Sequence, residues 1–190
     1  MANLIRSAKS GSSWTLNKLD SYNIHLERQE APKFFGVPLL QDPADRNAEL
    51  INLLDLAMLP TGSGETAVVD FAVELLKHTG YVRRNQVART RRDLPLLICG
   101  KRENAKADVC IVNRQQNDII LLVQEGKRIE DVEPIDARAQ LVANALAAFP
   151  QNNASRENCS FSPLESKVIP GIVMIGTSPT FFKIPVTKSS

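Results

Sequence analysis

Three ionisable residues stand at the ends of apolar runs, where a folded chain seldom places charge without a partner. Asp108 opens the run Asp108-Val-Cys-Ile-Val-Asn113, and Glu125 and Lys127 close the run Ile119-Ile-Leu-Leu-Val-Gln-Glu-Gly-Lys127. Positions Ile119 to Gln124 read as an interior strand. Side chains alternate across a strand, so Glu125 and Lys127 share a face with Val123 and Leu121. If Asp108 heads the neighbouring strand, two carboxylates and an ammonium converge. Carboxylate oxygens suit a hard cation, Mg2+ with Mn2+ as a substitute, which lowers the pKa of a bound water and offsets charge on a phosphate. Lys127 beside those anions stays protonated, because they favour its charged form, and it would position a water or stabilise a phosphorane.

A plainer alternative has Asp108 capping the sheet edge and Glu125 paired with Lys127 or Arg128 at the surface, as exposed ion pairs at strand ends commonly are. The tripeptide alone does not decide. A chain of 190 residues should hold about one acid-x-Lys by chance, and Glu165-Ser-Lys167 is a second. Context separates them: Glu165 lies in a Ser- and Pro-rich polar stretch, whereas Glu125 ends an apolar strand. The interval from Asp108 to Glu125 fits a hairpin with arms of roughly 6 to 8 residues.

The elements that must position these residues follow from periodicity. Thr61-Gly-Ser-Gly64 is not a phosphate loop, since no Gly-Lys-Ser/Thr follows, and reads as a helix start. Ser63 caps a helix from Gly64 to about Thr79 with the apolar stripe Val68, Phe71, Ala72, Leu75 and Leu76, and Gly80 ends it. Glu65 in its first turn either complements the helix N-terminus or serves as an inward carboxylate beside the metal ligands. Arg83, Arg84, Arg89, Arg91 and Arg92 follow, five arginines in ten residues, read as a loop; their forks match phosphate geometry and would draw a polyanion toward the carboxylates. Leu94 to Gly100 is a first strand, Lys101 to Ala107 a charged turn, and the Asp108 and Ile119 runs are the next two strands. Asp136 caps a helix to about Phe149, stopped by Pro150, with Gln140 and Asn144 one turn apart on its flank. Residues 151 to 167 read as loop, and two strands, Val168 to Gly176 and Thr180 to Val186, close the chain.

The first 60 residues are less regular, with one short helix and one short strand expected in their first part. Phe34 to Leu40 forms an apolar plug, and a helix between Asp45 and Leu59 is capped by Asp42 or Asp45. His25 reads as a surface or packing residue. The expected organisation is an N-terminal extension, residues 1–60, packed on one domain, residues 61–190.

Composition sets the frame. Apolar residues make up 43% and charged residues 23%, as in a soluble globular protein, and no run is long and apolar enough for a signal peptide or membrane span. A net charge of +2 is too small to argue a nucleic-acid partner without the local arginine cluster. Cys99, Cys110 and Cys159 lack metal-site spacing; Cys99 and Cys110 sit in apolar runs as small buried thiols, and all three read as reduced. An intracellular location, nucleus or cytoplasm, and no membrane partner are expected.

With Asp108, Glu125-Gly-Lys127 and this order of elements, residues 64 to 186 resemble the PD-(D/E)xK nuclease superfamily. The resemblance implies a restriction-endonuclease-like fold, α+β or α/β, with a central mixed sheet flanked by helices in the core order α-β-β-β-α-β-β. It implies Asp108 and Glu125 as magnesium ligands, the Gly126 carbonyl as a further one, Glu65 or, second to it, Glu74 as an additional acid, and Lys127 as the group that orients the attacking water. Gln140 falls where some branches carry a glutamine. The activity implied is nuclease cleavage of DNA or RNA; many members, however, are specialised or inactive, so a nuclease-like binding module is the alternative. Ala107 stands where the family's name has proline. The phrases Leu-Pro-Leu-Leu-Ile-Cys-Gly and Leu-Leu-Val-Gln-Glu-x-Lys-Arg also resemble those of proteins from mushroom-forming fungi, a similarity that brings no activity with it.

Overall fold

A computed structural model describes residues 7–36, 48–59, 64–126 and 135–188, without the side chains of Gly64, Glu65 and Ile135. In chain order it has a 3-10 turn (Gly11–Ser13), α1 (Leu16–Ser21), α2 (Ala31–Phe35), α3 (Ala48–Met58), α4 (Gly64–His78), β1 (Gln86–Ile98), β2 (Lys101–Asn113), β3 (Asp118–Gly126), α5 (Ile135–Asn158), β4 (Ser166–Ile175) and β5 (Ser178–Thr187). The strands form one mixed sheet in the order β1-β2-β3-β4-β5, parallel between β3 and β4 and antiparallel elsewhere. The parallel pair requires a crossover, and α5 supplies it. Helices cover both faces, so the class is α+β with a mixed sheet.

Two core layers separate on the sheet. Leu94, Leu96, Ala105, Ala107, Cys110 and Leu122 pack with α5 and with Trp14 and Leu19 of the N-terminal segment. Val109, Ile111, Leu121, Val123 and Met174 pack on the other side against Val68, Phe71, Ala72 and Leu76 of α4, with α3 outside it. The apolar stripe of α4 thus faces the sheet as its spacing predicts. Gly80, at φ 78°, closes the helix: its N–H donates to Lys77 O (3.1 Å) and the Tyr81 N–H to Leu76 O (2.9 Å), a left-handed cap that glycine adopts without strain. No described helix is long and apolar enough to cross a membrane.

Several expectations are corrected. The stretch Arg89 to Arg92 is strand, not loop: β1 begins at Gln86, and Lys101 to Ala107 is the first half of β2 rather than a turn. Cys99 and Gly100, with φ of 49° and 72°, make the reversal in two residues, the backbone twist that suits a tight hairpin. Charges on the outward positions of this hairpin masked the alternation that buries Ala105 and Ala107 beneath α5. Cys99 is consequently exposed, while Cys110 is buried; all three cysteines are free.

The second correction is α5, which runs through Pro150 to Asn158. A proline inside a helix forfeits a hydrogen bond and crowds the preceding turn, at a cost of about 3 kcal/mol. The extra turns are anchored to offset it. Asn152 takes a hydrogen bond from Ile119 N–H (2.6 Å) and donates to Ile119 O (2.8 Å), imitating a strand neighbour, and Asn153 does the same with Leu164 (2.9 and 3.0 Å). Asp136 lies within the first turn rather than capping it, where its charge complements the helix N-terminus.

In residues 7–36 the described chain has a 3-10 turn and helices α1 and α2, and no strand. Phe34 and Phe35 pack on Phe181 of β5 with centroids at 6.4 and 5.0 Å; Val37 to Leu40, the caps Asp42, Asp45 and Ser63, and the loop from Asp131 to Pro134 lie outside the described residues. His25 is exposed and contacts Asn23 Oδ1 at 3.0 Å. Lys18 is buried and donates to the carbonyl of Ser7; burial holds its ammonium below the usual lysine range, with Lys9 acting the same way and Cys99 opposing.

Candidate active site at the middle of β2 and the end of β3

Asp108 sits where β2 changes face. Ala105 and Ala107 point toward α5, and so do Cys110 and Val112, whereas Val109 and Ile111 point toward α4. Strict alternation would give one parity throughout, so the strand must turn over at Asp108. The neighbouring strand turns with it. Thr90 pairs with Val109 and Arg92 with Ala107, which leaves Arg91 opposite Asp108, and Arg91 has φ 50°. A left-handed arginine costs roughly 1 to 2 kcal/mol, a local strain of the kind found at functional positions.

The side chain of Asp108 is held from two directions. Its Oδ2 accepts a hydrogen bond from Gln124 Nε2 (2.6 Å) and another from the Glu125 backbone N–H (2.8 Å). The orientation of the Gln124 amide is itself fixed, since its Oε1 accepts from Asn144 Nδ2 (2.8 Å) and Asn144 Nδ2 also donates to Lys106 O (3.3 Å). Gln124 Nε2 makes a second, longer contact with Gln140 Oε1 (3.3 Å), and Gln140 Nε2 donates to Ser12 O (3.2 Å). Gln124 and Asn144 are 5% and 1% exposed, so these amides must be satisfied internally.

Glu125 alternates to the opposite face from Gln124. It and Asp108 line one narrow cleft, with Val109 and Val123 beneath and Val68 and Ala72 of α4 above. The cleft is tight and has no interior room for a free water. Gly126 ends β3, where a Cβ would lie 3.0 Å from Ile175 Cγ1. Lys127 lies outside the described residues, as does the side chain of Glu65, whose backbone is one turn before Val68 and Val69. Glu74 is paired with Lys77 (3.1 Å) and does not line the cleft. Among the described residues no three of His, Cys, Asp and Glu are grouped as metal ligands. The oxygen-only pair of Asp108 and Glu125 fits a hard cation.

The arginines do not form one patch. Arg91 is opposite Asp108. Arg89 and Arg92 flank the buried Cys110, whose thiol is pushed up by burial while the positive charges of Arg92 and Arg89 act in the opposing direction. Arg83 and Arg84 precede Gln86, the partner of Asn113, and so stand on the order of 17 Å or more along the sheet from Asp108. Arg83 lines a cavity of about 320 Å³ with Tyr81, Ile111 and Leu121, away from the carboxylates.

Sequence reasoning passed over Gln124, which counts as one more residue of an apolar run. Its signal was an amide immediately before the strand-ending acid, on the face given to α5. The rival Glu165-Ser-Lys167 is no second site: Glu165 pairs with Lys188 (3.3 Å) and Lys167 with Asp118 (2.9 Å).

A comparison with family models finds no match, and comparisons with curated proteins and with solved structures find none either.

Proposed function

We propose that this chain is a metal-dependent phosphodiester hydrolase of the PD-(D/E)xK type, acting on DNA or RNA, with its helix, three strands, helix and two strands as the restriction-endonuclease-like core. The observation that carries the proposal is that Asp108 and Glu125 both line one cleft, with the Asp108 carboxylate held by two donors. These two residues would hold Mg2+ or Mn2+, joined by the Gly126 carbonyl and an acid of α4, Glu65. When bound, the cation lowers the pKa of a water and offsets charge on the scissile phosphate. Arg91, opposite Asp108, and Arg89 offer guanidinium forks to flanking phosphates. Lys127, two residues beyond Glu125, places the water or stabilises the phosphorane.

The test is Mg2+- and Mn2+-dependent cleavage of single-stranded DNA, duplex DNA and RNA by the wild type, Glu125→Ala and Lys127→Ala. Both variants should lose at least about 100-fold in rate, the scale of removing one preorganised transition-state contact, with unchanged circular dichroism. Equal activity in all three proteins would identify a contaminant and sink the proposal. The tightness of the cleft favours a second reading, a nuclease-like fold that binds nucleic acid or protein without cleaving. Nucleic-acid or protein binding by a wild type that cleaves nothing would select it.

A further inference from the structure

Behind the candidate site, on the α5 side of the sheet, the N-terminal segment from Ser7 to Ile24 lies as a docked strap. Trp14 is fully buried and stacks on Tyr22 with centroids 5.8 Å apart, and Leu19 is 1% exposed. The strap reaches the sheet at Gly11, where a Cβ would stand 2.8 Å from Ala105 Cβ and 2.9 Å from Ala105 Cα. Backbone on one side cannot give way, so any larger residue must lift the strap. One residue further on, the Ser12 carbonyl accepts from Gln140 Nε2 (3.2 Å), Gln140 Oε1 lies 3.3 Å from Gln124 Nε2, and Gln124 Nε2 donates to Asp108 Oδ2 (2.6 Å).

We infer that the strap is a positioning brace for Asp108: its docking fixes Gln140 and Gln124, and through them the rotamer of the Asp108 carboxylate and the cation affinity of the cleft. The consequence for affinity rests on the metal-site proposal above; the mechanical coupling does not. Proton accounting supports one orientation for every member. Asn144 Nδ2 uses its two hydrogens on Lys106 O and Gln124 Oε1, which forces the Gln124 Nε2 hydrogens toward Asp108 and Gln140. Gln124, Gln140 and Asn144 are positioning residues in this arrangement, and displacing the strap is the route by which the site is loosened.

The full chain provides its own reporter, because Trp14 is the sole tryptophan and its emission follows strap docking. Gly11→Ala should shift that emission to the red, speed hydrogen exchange at the Glu125 amide, which donates to Asp108, and weaken Mn2+ binding by roughly tenfold to a hundredfold, the usual range for losing a support behind a metal ligand. Gln124→Leu should reproduce the exchange and Mn2+ effects with Trp14 emission unchanged. The double variant should be no worse than Gln124→Leu, since the relay is already cut; additive losses would show two independent effects and overturn the inference. A strap that undocks while Glu125 exchange and Mn2+ affinity hold overturns it equally. If Gly11→Ala loses the sheet, Gln140→Leu, which cuts the relay and leaves the strap sequence intact, decides by the same readouts. A wild type that binds no Mn2+ while Glu125 exchange still answers to Gly11→Ala would remove the metal-site proposal and leave the brace standing.

Discussion

The hairpin of β2 and β3 carries an aspartate at each end, and the fold treats the two in opposite ways. At the turn end, Asp118 is 5% exposed and meets Lys167 at 2.9 Å. Beside it Asn152 closes the backbone of Ile119. At the open end, Asp108 Oδ2 accepts from a neutral amide and from a backbone N–H. One arrangement pairs an enclosed carboxylate with an ammonium, and the other ties a carboxylate to a buried amide and to the backbone of the neighbouring strand. The comparison shows why a charge at the end of an apolar strand is not by itself a functional sign: the carboxylate at the turn end is a structural ion pair. The same lesson separates the two acid-x-Lys tripeptides, for Glu165 and Lys167 serve different partners on either side of β4.

The sharpest way to break this contrast is to remove a partner at each end. Lys167→Ala leaves Asp118 buried without its cation and should cost about 3 kcal/mol in urea unfolding, while Asp108→Asn, whose Oδ1 can still accept both donors, should cost less than about 1 kcal/mol. Equal losses would mean that both aspartates are structural. Asn152→Ala should follow at about 2 kcal/mol, since the Ile119 N–H and C=O would be left buried and unpaired; an unchanged urea midpoint would show that the second half of α5 is held by packing alone. The smallest effect concerns Cys110, two residues beyond Asp108. Its folded pKa is raised by burial, so the folded state keeps the proton that the unfolded thiol loses near its ordinary value of 9.0. The stabilisation is complete below pH 9 and declines as the pH rises from there toward the folded value. Thermal midpoints of the wild type and Cys110→Ala, compared from pH 8 upward, should therefore show a steeper alkaline fall in the wild type; parallel curves would count against a buried neutral thiol.

The order of helices and strands was legible because α4, β3, β4 and β5 each follow one period, and hairpin length placed Asp108 and Glu125 on adjacent strands. What stayed hidden has physical causes. Arg89, Arg91 and Arg92 read as loop because charge density conceals a strand whose outward face is solvated. Pro150 read as a stop because the compensation comes from Asn152 and Asn153, whose partners are distant in sequence. The reversal of face at Asp108 depends on a left-handed Arg91, which no side-chain pattern announces. Gln124, Asn144 and the strap join only through tertiary contacts, so the support of the site was the least readable part of it.

The same Arg91 has a consequence at the boundary of the sheet. β1 and β5 are the terminal strands, and a terminal strand of 13 residues such as β1 would ordinarily invite another chain to extend the ladder. A left-handed residue in mid-strand interrupts the row of donors and acceptors, Pro95 removes a further N–H, and the exposed arginines repel a second copy. On the far side, Pro179, Pro185 and Lys183 do the same for β5. The bend beside Asp108 thus also acts against edge-to-edge aggregation, so relaxing Arg91 to an extended conformation would flatten the strand and expose a template for self-association.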